Sequence, residues 1–417
     1  MKKRLLVASF LLSAMTSFGG GYQLNLQGLR ELAMGGTGTA WAWDASTIFY
    51  NPGGLGRLKG IQIYGSIMQI MPSTAYSNVA NSGTQTISTR TVNQTFTPFN
   101  FYVGGPVQDG SRWALGLGIY TPFGSGTKWD DNWVGKYIVQ DINLKCIFFQ
   151  PTISYVVGDW LSVGAGFIYS TGTFDFSQAL PVHGINGPGS PDNGDGQATL
   201  HSNANGVGFN LGAHIKMRDN LQFGLTYRSQ VNMNVSGGSA NFKVPASLRD
   251  SFPNTTFDTQ LPLPQVLSAG IAYRTGPLTL QLDLNYTGWN SFDTLRFNFS
   301  QNTTTLQNVR APRHYRNTLT PRIGACYKIS RIVSIMAGAA YDPTPVTNGF
   351  VSPDLPDADR IVLSCGISVK PLPRFTILAA FEGVTSVTRS ASYDYGGFSG
   401  IYKTEAATPG IGVYYNF

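Results

Sequence analysis

The chain has 417 residues, of which 49 are glycine, with 12% aromatic residues, only 12% charged residues and a mean hydropathy of −0.05. Soluble domains average roughly 7% glycine and 25% charge, and coiled coils or helical bundles need far more Ala, Glu, Lys and Leu. Disorder needs low hydrophobicity with high net charge, and the run of about 20 apolar residues that a membrane-spanning helix requires does not occur. A β-rich chain remains, and its formal net charge of +7 is no argument for nucleic acid, because Lys2, Lys3 and Arg4 crowd the extreme N-terminus.

Those three cations begin a signal-peptide pattern. Leu5 to Ala14 is apolar, and Ser17 and Gly19 stand at −3 and −1 of a cleavage before Gly20; the stretch is too short to span a bilayer. Residues 1–19 are therefore expected to be a removable leader. Residues 20–59 have a character of their own. Leu29 to Met34, the glycines 35, 36 and 38, the aromatic group Trp41, Trp43, Phe49 and Tyr50, and the turn Asn51-Pro52-Gly53 predict short helical turns broken by Gly and Pro. So apolar a segment is expected to be buried.

From residue 60 onward, apolar residues alternate with small or polar ones. Leu161, Val163, Ala165, Phe167 and Tyr169 share one face; Leu278, Leu280, Leu282, Leu284 and Tyr286 share another. A period of two is the strand period. The pattern predicts fourteen strands, near 60–71, 96–104, 111–121, 142–157, 160–173, 203–216, 220–235, 264–274, 277–289, 318–328, 331–341, 359–369, 373–385 and 405–417. Short turns alternate with long polar connections between them. An even strand number with that alternation is the arrangement of an all-β, antiparallel transmembrane barrel, since backbone groups in lipid must find partners inside a closed sheet. Tyr169, Tyr227, Tyr273, Tyr286, Trp289, Tyr327 and Tyr341 near strand ends suit interfacial girdles. A barrel of this size has a lumen too wide for its own side chains to fill, and residues 20–59 suit a plug within it, with 60–417 as the barrel. A secreted β-sandwich, the competing fold, does not explain why every second connection is long.

Several blocks resemble a known family. The mature start Gly20-Gly21-Tyr22-Gln23-Leu24-Asn25, the Asn51-Pro52-Gly53 turn, Trp129-Asp130-Asp131-Asn132-Trp133-Val134-Gly135-Lys136-Tyr137, Asn285-Tyr286-Thr287-Gly288-Trp289 and Pro356-Asp357-Ala358-Asp359-Arg360 occur in the order found in the FadL/TodX family of outer-membrane transporters for hydrophobic compounds. The family usually has Asn-Pro-Ala where this chain has Asn51-Pro52-Gly53. The resemblance implies a fourteen-stranded barrel with an N-terminal hatch (Gly20, Asn51, Pro52, Gly53), capture of ligand by outer loops, a lumenal site beside the mature N-terminus, and sideways release through an inward kink in the third strand. Gly116, Gly118 and Pro122 are the residues here that suit such a kink, because proline removes a ladder donor and glycine weakens pairing. The same resemblance places a cation facing a ligand carboxylate in the stretch from Arg316 to Tyr327, with Arg316 and then Arg322 as the candidates. The Phe417 terminus on an amphipathic last strand resembles the signal read by outer-membrane assembly machinery.

Apolar residues clustered in exposed loops mark interaction surfaces. The capture candidates are Phe123, Trp129, Trp133, Phe176, Leu248, Phe252 and Phe257, with Val244 to Leu248 forming a short amphipathic turn. The alternative for these residues is packing of the loops into a cap. Chemistry-bearing patterns are missing: His183, His201, His214 and His314 lack metal-ligand spacing, and Asp192-Asn193-Gly194-Asp195-Gly196 lacks the Glu that completes a calcium loop. Cys146, Cys326 and Cys365 make no disulfide framework. The expectation is a monomeric, non-enzymatic protein without cofactor or metal, embedded in outer-membrane lipid and carrying fatty acids or related hydrophobic small molecules. Uptake of aromatic hydrocarbons, a structural or adhesive surface barrel, and a general porin are the alternatives.

Overall fold

A computed structural model describes residues 20–78, 86–182 and 194–417. The expected leader, His183, and Asp192 with Asn193 lie outside the described residues. Fourteen antiparallel strands close into a barrel. They are β1 Gln62–Met68, β2 Phe99–Pro106, β3 Trp113–Lys128, β4 Asp141–Val156 and β5 Leu161–Leu180. Then come β6 Gly196–Arg218, β7 Leu221–Arg228, β8 Val266–Thr275, β9 Leu278–Thr287 and β10 Thr318–Lys328. The last four are β11 Val333–Asp342, β12 Arg360–Leu372, β13 Phe375–Ser386 and β14 Phe398–Asn416. Each pairs with its neighbour, and β1 pairs with β14 from Gln62↔Asn416 to Met68↔Gly410 to close the ring.

The alternation read from the sequence is the alternation of the wall. Leu115, Leu117, Phe167, Val207, Phe209, Leu211, Leu282, Ile323 and Leu363 are exposed on the outer face, where lipid covers them. Ser154, Ser162, Asn210, Gln281, Asp283 and Ser364 are buried on the inner one. Tyr169, Tyr273, Tyr286 and Tyr327 are exposed, while Trp289 is buried against Tyr22 and belongs to no girdle.

Several boundaries differ from the periodicity: β3 runs on to Lys128 rather than 121, and β14 begins at Phe398 rather than 405. The region 174–202 was expected to be loop, but β5 and β6 stay paired through Asp175↔His201 to Leu180↔Gly196. The strand expected over 220–235 breaks after Arg228, where the Ser229 hydroxyl accepts from the Phe209 amide at 2.9 Å and interrupts the ladder. A second strand, Val231–Lys243, then continues outward against Thr255–Leu263. With Thr294–Phe299 and Val309–Pro312 it builds a sheet beyond the lipid-facing band.

Inside lies the N-terminal segment, nearly all of it buried from Gly20 to Leu58. It forms helices α1 Leu29–Ala33 and α2 Thr47–Tyr50 and a 3-10 turn Pro52–Arg57. Asn51 caps that turn by accepting from the Gly53 amide at 3.0 Å, and its Nδ2 donates to the carbonyls of Thr39 and Ala213 at 2.7 and 3.0 Å. Inward glycines let the segment touch the wall backbone: a Cβ at Gly338 would lie 2.0 Å from the Met34 carbonyl carbon. Glu31 is buried with Asp44 nearby, and burial together with that second carboxylate pushes the Glu31 carboxyl up to about 8.

Gly338→Ala should therefore dislodge the segment at a cost of about 1–3 kcal/mol, the scale of overpacking, while the barrel still closes. Limited proteolysis of the folded barrel should then cut within residues 20–58. Gly65→Ala, where an added Cβ meets nothing within 4 Å, should leave the segment protected. The Glu31 shift has a definite sign. The docked segment holds a proton that the undocked one, titrating near 4.3, releases, so docking is strongest below about pH 4.3 and weakens as pH rises toward 8. Hydrogen exchange in residues 28–50, corrected for intrinsic rates, should be faster at pH 8 than at pH 5, and Glu31→Gln should flatten that difference.

Candidate functional site: two adjoining cavities

Above the N-terminal segment the barrel encloses a narrow apolar cavity of about 80 Å³. Its wall comes from strand positions one turn of the alternation apart: Ile142 and Leu144 on β4, Met233 and Val235, Leu261 and Leu263, and Leu295 and Phe297. Tyr22 forms the floor. Its hydroxyl donates to the Pro262 carbonyl at 2.6 Å, and its ring meets Trp289 and Phe292 edge-on at 4.8 and 5.6 Å. This volume is below the ~150 Å³ that holds a benzene, and its lining includes the unbranched, flexible Met233.

A second cavity, of about 550 Å³, adjoins the first along Ser125, Leu144, Lys145 and Leu355. It follows the N-terminal stretch Gly21 and Gln23–Leu26 and reaches the barrel wall at Phe96–Phe99 and Thr121. There the wall changes. The β2–β3 ladder ends at Asn100↔Tyr120, and the β3–β4 register shifts between Tyr120 and Phe123, across Pro122. Beyond the break, β3 pairs with the N-terminal segment: Leu24 donates to the Pro122 carbonyl at 2.9 Å and Gly124 donates to the Tyr22 carbonyl at 3.1 Å. The interval is bounded on its outer side by the 2.8 Å bond from the Val92 amide to the Lys128 carbonyl. The Phe96 ring lies across it, 2.0 Å from where a Gly126 Cβ would stand.

Charged groups are buried around both cavities. Arg313 lines the upper one and forks onto Asp354, with Nη1 and Nη2 donating to Oδ1 and Oδ2 at 3.2 and 2.9 Å. Burial alone would raise the Asp354 carboxyl; Arg313 outweighs it and holds it below the usual carboxylate range. Arg322, Arg360, Asp342, Asp357 and Glu382 line the lower cavity. Arg360 pairs with Asp357 and donates to the Gly21 carbonyl at 3.1 Å, and Asp357 accepts from the Gly21 amide at 3.0 Å.

The residues singled out from the sequence fall in different places. Trp129 and Trp133 stack at 4.3 Å beneath Tyr76, and Trp129 donates to the Pro353 carbonyl at 3.0 Å. Phe257 packs on Phe297 and Phe299, Leu248 and Phe252 lie against Leu180 and Val182, and Phe176 stacks on Phe174. None of these lines either cavity; together they make an outer cap. Phe123 bridges Tyr22 and Phe148 at 6.1 Å from each. Gly116 and Gly118 lie under Ile48 of α2, and Pro122 marks the register break. Gly20 abuts Asp342 and Gly53 wedges against the backbone of β5 and β6. Arg322 faces the lumen, Nη1 to the Gly36 carbonyl at 3.5 Å, across from Asp283. Arg316 is half-buried beside Arg389 and Asp359 and lines neither cavity.

Comparison with known proteins places this architecture. A family model described as outer membrane protein transport protein (OMPP1/FadL/TodX) matches residues 10–417. The chain is 24% identical to a long-chain fatty acid transport protein of Escherichia coli, covering 95% of this chain and 91% of that one. It is 23% identical to outer membrane protein P1 of Haemophilus influenzae, covering 88% of each. The fold matches a Pseudomonas aeruginosa FadL homologue with a TM-score of 0.82 at 22% identity, over 95% of this chain and all of that one. It matches the Pseudomonas putida toluene transporter TodX with a TM-score of 0.71 at 15% identity, over 95% and 100% of the two chains. The chain is an outer-membrane β-barrel and belongs to the OMPP1/FadL/TodX family of outer-membrane transport proteins.

Proposed function

We propose that the protein passively carries long-chain fatty acids or related hydrophobic compounds from outside the cell into the outer membrane. The observation that carries this reading is the continuity of the two cavities with the break in the wall between β2 and β3. Ligand passes under the aromatic cap into the upper cavity, moves along Tyr22–Leu26, and leaves sideways past Phe96. The N-terminal segment acts as the hatch that denies a straight aqueous path. The energetics need no coupling to an energy source. Each methylene withdrawn from water contributes about 0.8 kcal/mol, so a dozen contribute about 10 kcal/mol, and the bilayer offers the exiting tail the same gain. The relatives named for fatty acid transport support the long-chain class. The neighbours named for toluene share the fold and leave aromatic hydrocarbons as the second reading.

Gly126→Trp should fill the interval that Phe96 covers. Uptake of radiolabelled long-chain fatty acid should fall about tenfold or more, with ligand binding under the cap retained and heat-modifiable electrophoretic mobility showing a folded barrel. Unchanged uptake in that variant would sink the sideways route. A high, unselective ion conductance of the unmodified protein would sink the transporter reading as a whole.

A further inference from the structure

Three charged residues contribute to the lining of the upper cavity: Lys145, Arg313 and Asp354. Lys145 is exposed, at the junction of the two cavities, while the next residue, Cys146, is buried. Arg313 and Asp354 are both buried, with side chains 7% and 10% exposed. Their fork engages both terminal nitrogens of one and both oxygens of the other, which is the most complete pairing a guanidinium and a carboxylate make. The rings of Phe292 and Tyr393 flank the guanidinium at 6.0 and 5.8 Å. Among the described lining residues, no buried charge is left to compensate a ligand ion. In the lower cavity the acidic side chains Asp342, Asp357 and Glu382 are matched in number by Arg322, Arg360 and Lys145, which leaves no excess of cations.

A carboxylate drawn into such a space loses its water without gaining a counter-ion. Were it to take Arg313, it would strand a buried Asp354, and an uncompensated buried charge is strongly disfavoured. An ammonium meets the mirror-image obstacle. We propose that the Arg313–Asp354 pair is a charge filter: it keeps the upper cavity neutral, so that the passage takes its ligand in uncharged form. A fatty acid then travels as the protonated acid, and alcohols, esters and hydrocarbons of matching length travel unhindered. The inference rests on the reading that the upper cavity holds ligand in transit.

The test compares three ligands with one tail, dodecan-1-ol, dodecanoate and dodecylammonium. At pH 8 the latter two are ions, since carboxyl groups titrate near 4 and amines near 10. Saturable binding is measured on the protein in phosphatidylcholine nanodiscs, each ligand being referred to its own partitioning into protein-free nanodiscs. The alcohol should be preferred about tenfold or more over either ion. Asp354→Asn frees Arg313 and should move the dodecanoate-to-dodecanol ratio about tenfold toward dodecanoate, while Arg313→Gln should move the ratio toward dodecylammonium. Dodecanoate binding as well as dodecanol in the unmodified protein overturns the filter, as do unmoved ratios in variants whose circular dichroism shows an intact barrel. Should the variants not fold, the three-ligand series on the unmodified protein decides alone. Absence of saturable binding by all three overturns the ligand passage itself, a result distinct from a wrong charge preference.

Discussion

A sheet in lipid has to close, because an open edge leaves backbone donors and acceptors without partners. Closure through fourteen strands then creates a second problem, a lumen wider than inward side chains can fill. Much of what is unusual in this chain answers that problem. Residues 20–58 occupy the space, and their backbone, away from water, needs partners of its own. The wall supplies them. Asp283 accepts from the amides of Gly38 and Thr39 at 2.8 and 2.9 Å, and Ser364 accepts from Gly35 at 2.9 Å. Asn100, Tyr102, Gln150 and Arg228 donate to the carbonyls of Leu26, Gln27, Ile48 and Phe49 at 2.6–2.8 Å. The polar inner face is therefore largely a binding surface for the protein's own N-terminus. Part of the glycine content follows from the same need, since Gly324 and Gly338 bring wall and segment into backbone contact.

The strands were legible because burial imposes one period along the whole wall. Leu278 to Tyr286 announces a lipid face without any knowledge of the fold. The same period misleads beyond the bilayer, where the surroundings of the two faces are exchanged. At Val207, Phe209 and Leu211 the apolar side points outward, to lipid. At Val231, Met233 and Val235 it points inward, while Asn232 and Asn234 are exposed to water. Alternation tells which residues share a face and is silent on what that face meets, so the upper cavity was not readable from the chain. The outer aromatics had the opposite difficulty. Trp129 and Trp133 read as loop residues in the sequence, and only the structure shows one stacked on the other under Tyr76. Arg313 and Asp354 are 41 residues apart in loops of no regular pattern, and nothing local pairs them. Arg322, by contrast, lies in the stretch that the family resemblance singled out, and it faces the lumen.

The N-terminal segment and the break in the wall are parts of one arrangement. Pro122 cannot donate to a ladder, and the shift of register around it leaves the outer part of β3 without its β2 partner. Residues Tyr22 to Leu24 stand in as a substitute strand, satisfying the Pro122 carbonyl and the Gly124 amide. Tyr22 is at the same time the floor of the upper cavity and an edge partner of Trp289 and Phe292. A ligand moving from the upper cavity to the lower one must therefore press on the residues that also complete the wall. Displacing them would leave two backbone groups of β3 unpaired beside lipid, a cost of about 1–3 kcal/mol for each, which a few methylenes of an entering tail offset at about 0.8 kcal/mol apiece. On the proposed route, descent of the ligand and loosening of the wall are then one event, and the lateral opening is held shut by the short stretch of chain that the ligand has to move.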